Sequence, residues 1–173
     1  MVDLFVCGIC GEPYIGGSKP DDCPFCGAPK KFITGFEEFS TLWNGELTAQ
    51  EKNDLQETVD LEVNATAYYK DVSDSNEKYS KINRLFKQFA RVEEEHAEVA
   101  CKLLGIEEPE MKGEKSKGSI EEDLKRTREL EKEAVEKYKK FLGRAENKNV
   151  RKFFEALIHA EKGHHDHVDR ELK

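Results

Sequence analysis

Two motifs in this 173-residue chain each occur twice, and that repetition limits the possible folds more than any other feature. Glu62-x-x-Ala65-x-x-x-Tyr69 returns as Glu131-x-x-Ala134-x-x-x-Tyr138, and Glu93-x-x-His96 returns as Glu161-x-x-His164. The offsets are 69 and 68 residues, so the two halves share one plan. Steps of three and four from each glutamate trace an otherwise apolar stripe. Leu55, Val59, Thr66 and Tyr69 flank Glu62, and Ile82, Phe86, Phe89, Ala100 and Leu103 flank Glu93 and His96. Ile120, Leu124, Thr127, Ala134, Tyr138 and Phe141 flank Glu131, and Val150, Phe154, Leu157 and Val168 flank Glu161 and His164. Residues at this spacing share one helix face. The chain is therefore expected to be mainly α, a four-helix bundle with a glutamate at core level in every helix.

Local punctuation places the helices. Thr48-Ala49-Gln50-Glu51 has the capping-box form and opens a helix expected to reach about Val72. Asp74-Ser75-Asn76-Glu77 breaks it and restarts a second, which ends with Gly105 just beyond its last turn. Ser119-Ile120-Glu121-Glu122 opens a third, ending near Gly143, and a fourth starts around Asn147 to Asn149. The short, long, short connections suggest two helical hairpins joined by a crossover.

Four ionised carboxylates inside one bundle would be too costly without positive charge beside them. A pair of divalent cations supplies it. Glu-x-x-His puts both side chains on one face, ~5 to 6 Å apart at Cβ, where both reach a common ion. One such motif in a glutamate-rich chain is usually a solvated face; two copies in register on buried stripes are not. Glu133 and Glu136 are expected to face away from the site.

The N-terminal region differs in kind. Residues 1–36 hold four of the five cysteines, six of the twelve glycines and four of the five prolines, with no helical period. Cys7-Gly-Ile-Cys10 and Cys23-Pro-Phe-Cys26 are two CxxC pairs, each followed by glycine, and form a pair of metal knuckles around one tetrahedral sulfur site. Zinc and a single iron both suit that site. The expected organisation is a cysteine module over 1–36, a linker over 37–47 containing Trp43, and the bundle over 48–173.

These residues carry a resemblance. The helical part looks like the ferritin-like domain of rubrerythrins, and Cys-Pro-x-Cys-Gly-x-Pro-Lys, from Cys23 to Lys30, resembles their short rubredoxin-like module. Having that module first resembles the reverse rubrerythrin arrangement. The resemblance implies that Glu62, Glu93, His96, Glu131, Glu161 and His164 bind two irons, with Glu93 and Glu161 bridging. It places Tyr69 and Tyr138 beside the carboxylates they orient, and it implies one iron held by Cys7, Cys10, Cys23 and Cys26. The implied activity is a peroxidase of oxidative-stress defence that reduces hydrogen peroxide to water with electrons passed through the cysteine-bound iron. An NAD(P)H-dependent reductase or a rubredoxin would be the electron donor. The chain departs from the family pattern at Ala134, where rubrerythrins carry a further glutamate, so a symmetric centre of two histidines and four glutamates is expected. Two other readings stay open: a ferroxidase or O2-reducing protein using the same ligands, and a non-catalytic metal-binding protein with structural zinc at the cysteines.

Composition narrows the setting. A net charge of −8 disfavours nucleic acid, and no apolar run approaches the ~18 to 20 residues of a membrane span. Paired cysteines without a leader-like N-terminus suggest the cytoplasm. Cys101 is expected to be a small buried apolar residue, and His159, His165 and His167 a solvated end of the fourth helix. The short linker suggests a homodimer or larger homo-oligomer, with a neighbouring subunit's cysteine centre approaching each bundle site.

Overall fold

Each long helix starts at a residue whose side chain caps the free amides of its first turn. In the computed structural model, which describes residues 3–42 and 45–173, Thr48 Oγ1 accepts from Glu51 N while Glu51 accepts from Thr48 N. That capping box opens α1 (Ala49–Asp74), as its sequence predicts. Ser119 caps α3 (Ile120–Arg144), and Asn147 Oδ1 accepts from Asn149 N and Val150 N to cap α4 (Lys148–Glu171). The second helix, α2 (Lys81–Leu104), ends on Gly105 at φ +69, the left-handed conformation glycine adopts without steric cost. Trp43, assigned to the linker, lies outside the described residues, as do Met1, Val2 and Asn44.

The start of α2 departs from expectation. Its cap is Ser80, several residues beyond the Asp74–Glu77 break. Asn83 explains the delay. Its side chain accepts from Tyr79 N at 3.1 Å and donates to Ser73 O at 2.9 Å, clamping the turn between α1 and α2 with Tyr79 at φ +69. Ile120 also departs from the expected stripe: as the first residue of α3 it lies beyond the core and is exposed.

α1 packs along α2 and α3 along α4, with the long connection crossing between the hairpins. One apolar layer holds Leu55, Val59, Tyr138, Phe141, Phe154 and Leu157. A second holds Tyr69, Val72, Phe86, Phe89, Leu124 and Val168. The four glutamates lie between these layers. No helix of the described residues is long and apolar enough to cross a membrane.

The cysteine region forms a three-stranded antiparallel sheet with β1 (Asp3–Cys7) between β2 (Pro13–Gly16) and β3 (Ile33–Gly35). Its cysteines share the apolar core of the bundle's first layer. Lys31 pairs with Glu155 at 2.7 Å, His159 Nε2 meets Asp22 at 2.7 Å, and Asn149 donates to Leu42 O at 3.0 Å. The chain's own module therefore sits on its own bundle. Gly27 lies close against α4. It has φ +68, and a Cβ there would lie 2.9 Å from Ala160 Cβ on α4. Gly27→Ala should cost roughly 1–3 kcal/mol, from strain at positive φ plus that overlap. Thermal melting checks this; an unchanged midpoint would mean the knuckle does not bear on α4.

Candidate metal centres

The two CxxC turns fold alike. Gly11 N donates to Cys7 O and Gly27 N to Cys23 O, each at 2.9 Å, and Gly11 and Gly27 both have positive φ. Cys7 N donates to Glu12 O, Cys23 N donates to Ala28 O, and Ile9 N donates to Cys7 Sγ. These turns aim four buried sulfurs at one point. Cys7 and Cys26 lie 3.7 Å apart and Cys10 and Cys23 3.8 Å apart, sulfur to sulfur. Disulfide sulfurs sit at about 2.05 Å. Four sulfurs about 2.3 Å from a central ion would be about 3.8 Å apart along the tetrahedron's edges. The geometry fits a metal. Hydrogen bonds from Cys10 lower the Cys7 and Cys23 thiols, while hydrogen bonding to Cys23 raises Cys10 and bonding to Cys10 raises Cys26.

In the bundle, Glu62, Glu93, Glu131, Glu161 and His96 are buried, and His164 keeps 12% of its side chain exposed. Two clusters form. Glu62, Glu93, His96 and Glu161 make one, and Glu93, Glu131, Glu161 and His164 the other, with the ligand-capable atoms of each within 4.8 Å of one another. Glu93 and Glu161 belong to both. Glu93 Oε2 lies 2.9 Å from His96 Nδ1 while its Oε1 lies 2.9 Å from His164 Nδ1. Glu161 Oε1 and Oε2 divide in the same way, each 3.1 Å from one of the two histidines. Glu62 and Glu131 each stand at one end only, 3.8 Å from His96 and 3.6 Å from His164.

The six atoms at the centre are close without being satisfied. Both oxygens of Glu93, both of Glu161, and Nδ1 of His96 and His164 are buried and make no hydrogen bond. Buried polar atoms are seldom left so, because desolvation then costs roughly 1–3 kcal/mol each and more for charged groups. Two cations between the carboxylates would satisfy all six. The sequence repeat reappears around them as crossed hydrogen bonds: Tyr69 Oη donates to Glu131 at 2.5 Å, and Tyr138 Oη donates to Glu62. Burial, then the adjoining carboxylate, holds both phenols well above their usual range, so they remain neutral donors. A cavity of about 20 Å³ opens beside the carboxylates, its walls including the repeat-related pairs Ala65 and Ala134, and Leu61 and Leu130. Glu133 and Glu136 are exposed.

Without a metal, protons take its place. Burial and Glu161 push Glu62 up to about 8, and burial and Glu93 push Glu131 well above the usual carboxylate range. Burial alone would lower the imidazoles, but Glu161 beside His96 and Glu93 beside His164 outweigh it and raise both. Burial would likewise raise Glu161, yet His96 and His164 hold it down.

The repeat is broken at one point. His96 Nε2 lies 2.9 Å from Cys26 O, so the cysteine knuckle is hydrogen-bonded directly to a histidine of the bundle cluster. His164 instead packs against Phe89, with ring centroids 4.7 Å apart and the planes tilted by 44°. Nothing in the sequence pointed to the contact of His96 with Cys26, nor to that of His159 with Asp22, because the partners are 70 and 137 positions apart and share no periodicity. His165 and His167 are part-buried, and Cys101 is buried with its thiol raised by burial.

A family model described as Rubrerythrin matches residues 53–172, which takes in all four clustered glutamates and both clustered histidines. No curated protein and no solved structure matches the chain.

Proposed function

The chain belongs to the rubrerythrin family, and from that premise we propose that it is a non-haem di-iron peroxidase fed with electrons through a cysteine-bound iron. The observation that carries this reading is the set of six buried, unpartnered carboxylate and imidazole atoms converging from four helices. Glu93 and Glu161 would bridge two irons, with Glu62 and His96 completing one end and Glu131 and His164 the other. Cys7, Cys10, Cys23 and Cys26 would hold the third iron. When bound, the iron pair would supply the two electrons that, with two protons, turn hydrogen peroxide into two waters, and the third iron would restore them singly.

This chain's residues do the rest. The cavity walled by Ala65 and Ala134 is close to the size of one water, which restricts access to oxidants as small as peroxide or O2. Tyr69 and Tyr138 hold the two terminal carboxylates in place. Cys26 links its sulfur, through its own backbone carbonyl, to the His96 ring, a short covalent and hydrogen-bonded path between the centres. That path favours iron over zinc at the cysteines, since zinc carries no electrons. An NAD(P)H-dependent reductase or a rubredoxin would recharge the cysteine centre.

Tyr69→Phe tests the positioning role. It leaves the Glu131 carboxylate unheld, and losing an outer partner of this kind lowers metal affinity by about 10–100-fold. Metal titration should show the loss at one of the two bundle positions, and Tyr138→Phe should show it at the other. Equal affinities in both variants and the unaltered protein would remove the role.

The function itself is tested on protein prepared without oxygen. Metal analysis should find three irons per chain, one with a sulfur-to-iron absorption that bleaches on reduction. Reduced protein mixed rapidly with peroxide should oxidise faster than with O2. Faster oxidation by O2 would favour an oxidase or ferroxidase instead. A colourless, zinc-filled cysteine site in iron-grown protein would favour a metal-binding role without turnover.

A further inference from the structure

The cavity beside the carboxylates reaches the surface along the seam between α1 and α3. Six of its ten wall residues, the four glutamates with Tyr69 and Tyr138, are buried. The other four, Leu61, Ala65, Leu130 and Ala134, are partly exposed. All four belong to α1 or α3, so the way in from solvent runs between these two helices.

The repeat explains why there is space at that seam. Three residues beyond its clustered glutamate, α2 carries His96 and α4 carries His164, whereas α1 carries Ala65 and α3 carries Ala134. One helix position thus supplies an imidazole on two helices and only a methyl on the other two. The methyls leave a gap walled by Glu93 and Glu161, whose four oxygens are buried and unpartnered. Toward its ends the seam is tied. Arg144 donates to Asp54 at 2.8 Å, and Tyr68 Oη donates to Asp123 at 2.7 Å. These bonds join the start of each helix to the other's far end or last turns, so α1 and α3 run antiparallel. Leu61 and Ala134 pack against the first apolar layer, and Leu130 and Ala65 against the second. Each leucine is therefore level with the other helix's alanine, and the two leucines flank the opening from opposite sides.

On the di-iron peroxidase reading, we propose that Leu61 and Leu130 are a paired gate that selects the oxidant by size, admitting hydrogen peroxide and holding back alkyl hydroperoxides. A cavity of about 20 Å³ takes one water-sized group and leaves no room for an alkyl substituent beside it. Both oxidants break the same O–O bond with two electrons and two protons. Hydrogen peroxide gives two waters, and an alkyl hydroperoxide gives an alcohol and one water. The bond chemistry does not separate them, so discrimination falls to the walls. A fitted apolar wall distinguishes a single methylene by about 10–200-fold.

Rapid mixing of the reduced, iron-loaded full chain with hydrogen peroxide and with tert-butyl hydroperoxide gives a ratio of two oxidation rates. Leu61→Ala and Leu130→Ala should each shift that ratio toward tert-butyl hydroperoxide by about tenfold, and the double variant by more. A general loss of stability would lower both rates and leave their ratio alone. Leu85→Ala, which truncates a partly buried leucine of α2 that does not line the cavity, should leave the ratio unchanged. A second readout needs no turnover. Azide binding to the oxidised iron pair is followed by absorption. Ala65→Val combined with Ala134→Val fills the gap and should weaken azide by about tenfold or more, with both bundle irons still found by metal analysis. An unaltered protein equally fast with both peroxides, a ratio unmoved in the double leucine variant, an equal shift in Leu85→Ala, or full azide affinity in the filled variant would each overturn the gate. Bundle positions without iron would instead overturn the di-iron reading on which it rests. Reduced protein inert to both peroxides would also count against that reading, while azide would still decide whether the seam is the entrance.

Discussion

Replacing Glu161 with alanine should empty both bundle metal positions and leave the cysteine centre loaded. Glu161 offers one oxygen to the cluster around His96 and the other to the cluster around His164, and neither oxygen has another partner. Its loss takes a ligand and a share of negative charge from each cation at once. Affinity should therefore fall by more than the roughly 10–100-fold seen when only an outer partner of a ligand is lost. Glu131 belongs to one cluster only, so Glu131→Ala should empty one position before the other. Glu136→Ala, exposed on the same helix as Glu131, should leave all positions filled. Metal analysis of the three variants, with absorption of the cysteine centre as internal standard, separates these outcomes. Two bundle metals retained in Glu161→Ala would end the bridging assignment. Circular dichroism with the helix content of the unaltered protein establishes that the variant has folded, since Glu161 also balances the charge of His96 and His164 in the metal-free interior.

Most of the bundle could be read from the sequence because its determinants are local and periodic. Glu62, Glu93, Glu131 and Glu161 fall on stripes of period 3.6, and all four are buried. Thr48, Ser119, Asn147 and Gly105 act where their chemistry says they should, since a cap depends only on the residues within a turn of it. The start of α2 was misplaced because Asn83 reaches back to Ser73 across the turn, a bond no short window displays. Ile120 has the right spacing and the wrong height, since periodicity gives direction around a helix but not depth along the bundle. Docking of the cysteine module was illegible for a different reason. It rests on Gly27 clearing Ala160, on His96 reaching Cys26 and on His159 reaching Asp22, contacts that exist only once two separately patterned regions have packed. The shared role of Glu93 and Glu161 was implied by resemblance, and it has a geometric counterpart in the way their oxygens divide between the two histidines.

Stripped of bundle metal, the protein should lose stability as pH rises from about 5.5 to 8, the opposite of what acid denaturation leads one to expect. The sign follows from which state binds more protons. In the folded chain Glu62 keeps its proton up to about 8, because burial and Glu161 disfavour its charge, whereas in the unfolded chain it ionises near the ordinary glutamate value of 4.5. Between those values the folded state binds the extra proton, so its advantage is complete below the lower one and is lost as pH climbs through the upper. His96 and His164, also raised in the fold, act in the same direction above their ordinary value of 6.5. At about 1.4 kcal/mol per pH unit, Glu62 alone accounts for on the order of 3 kcal/mol across this range. For a chain of this size that is roughly 6–12 °C in melting temperature. Metal reverses the pattern, since bound cations displace the same protons and bind better as pH rises. Thermal melts of metal-stripped and iron-loaded bundles at both pH values, with the cysteine centre left loaded, make the comparison. A stripped protein that melts higher at pH 8 than at pH 5.5 would show that the buried glutamates do not carry protons in place of metal.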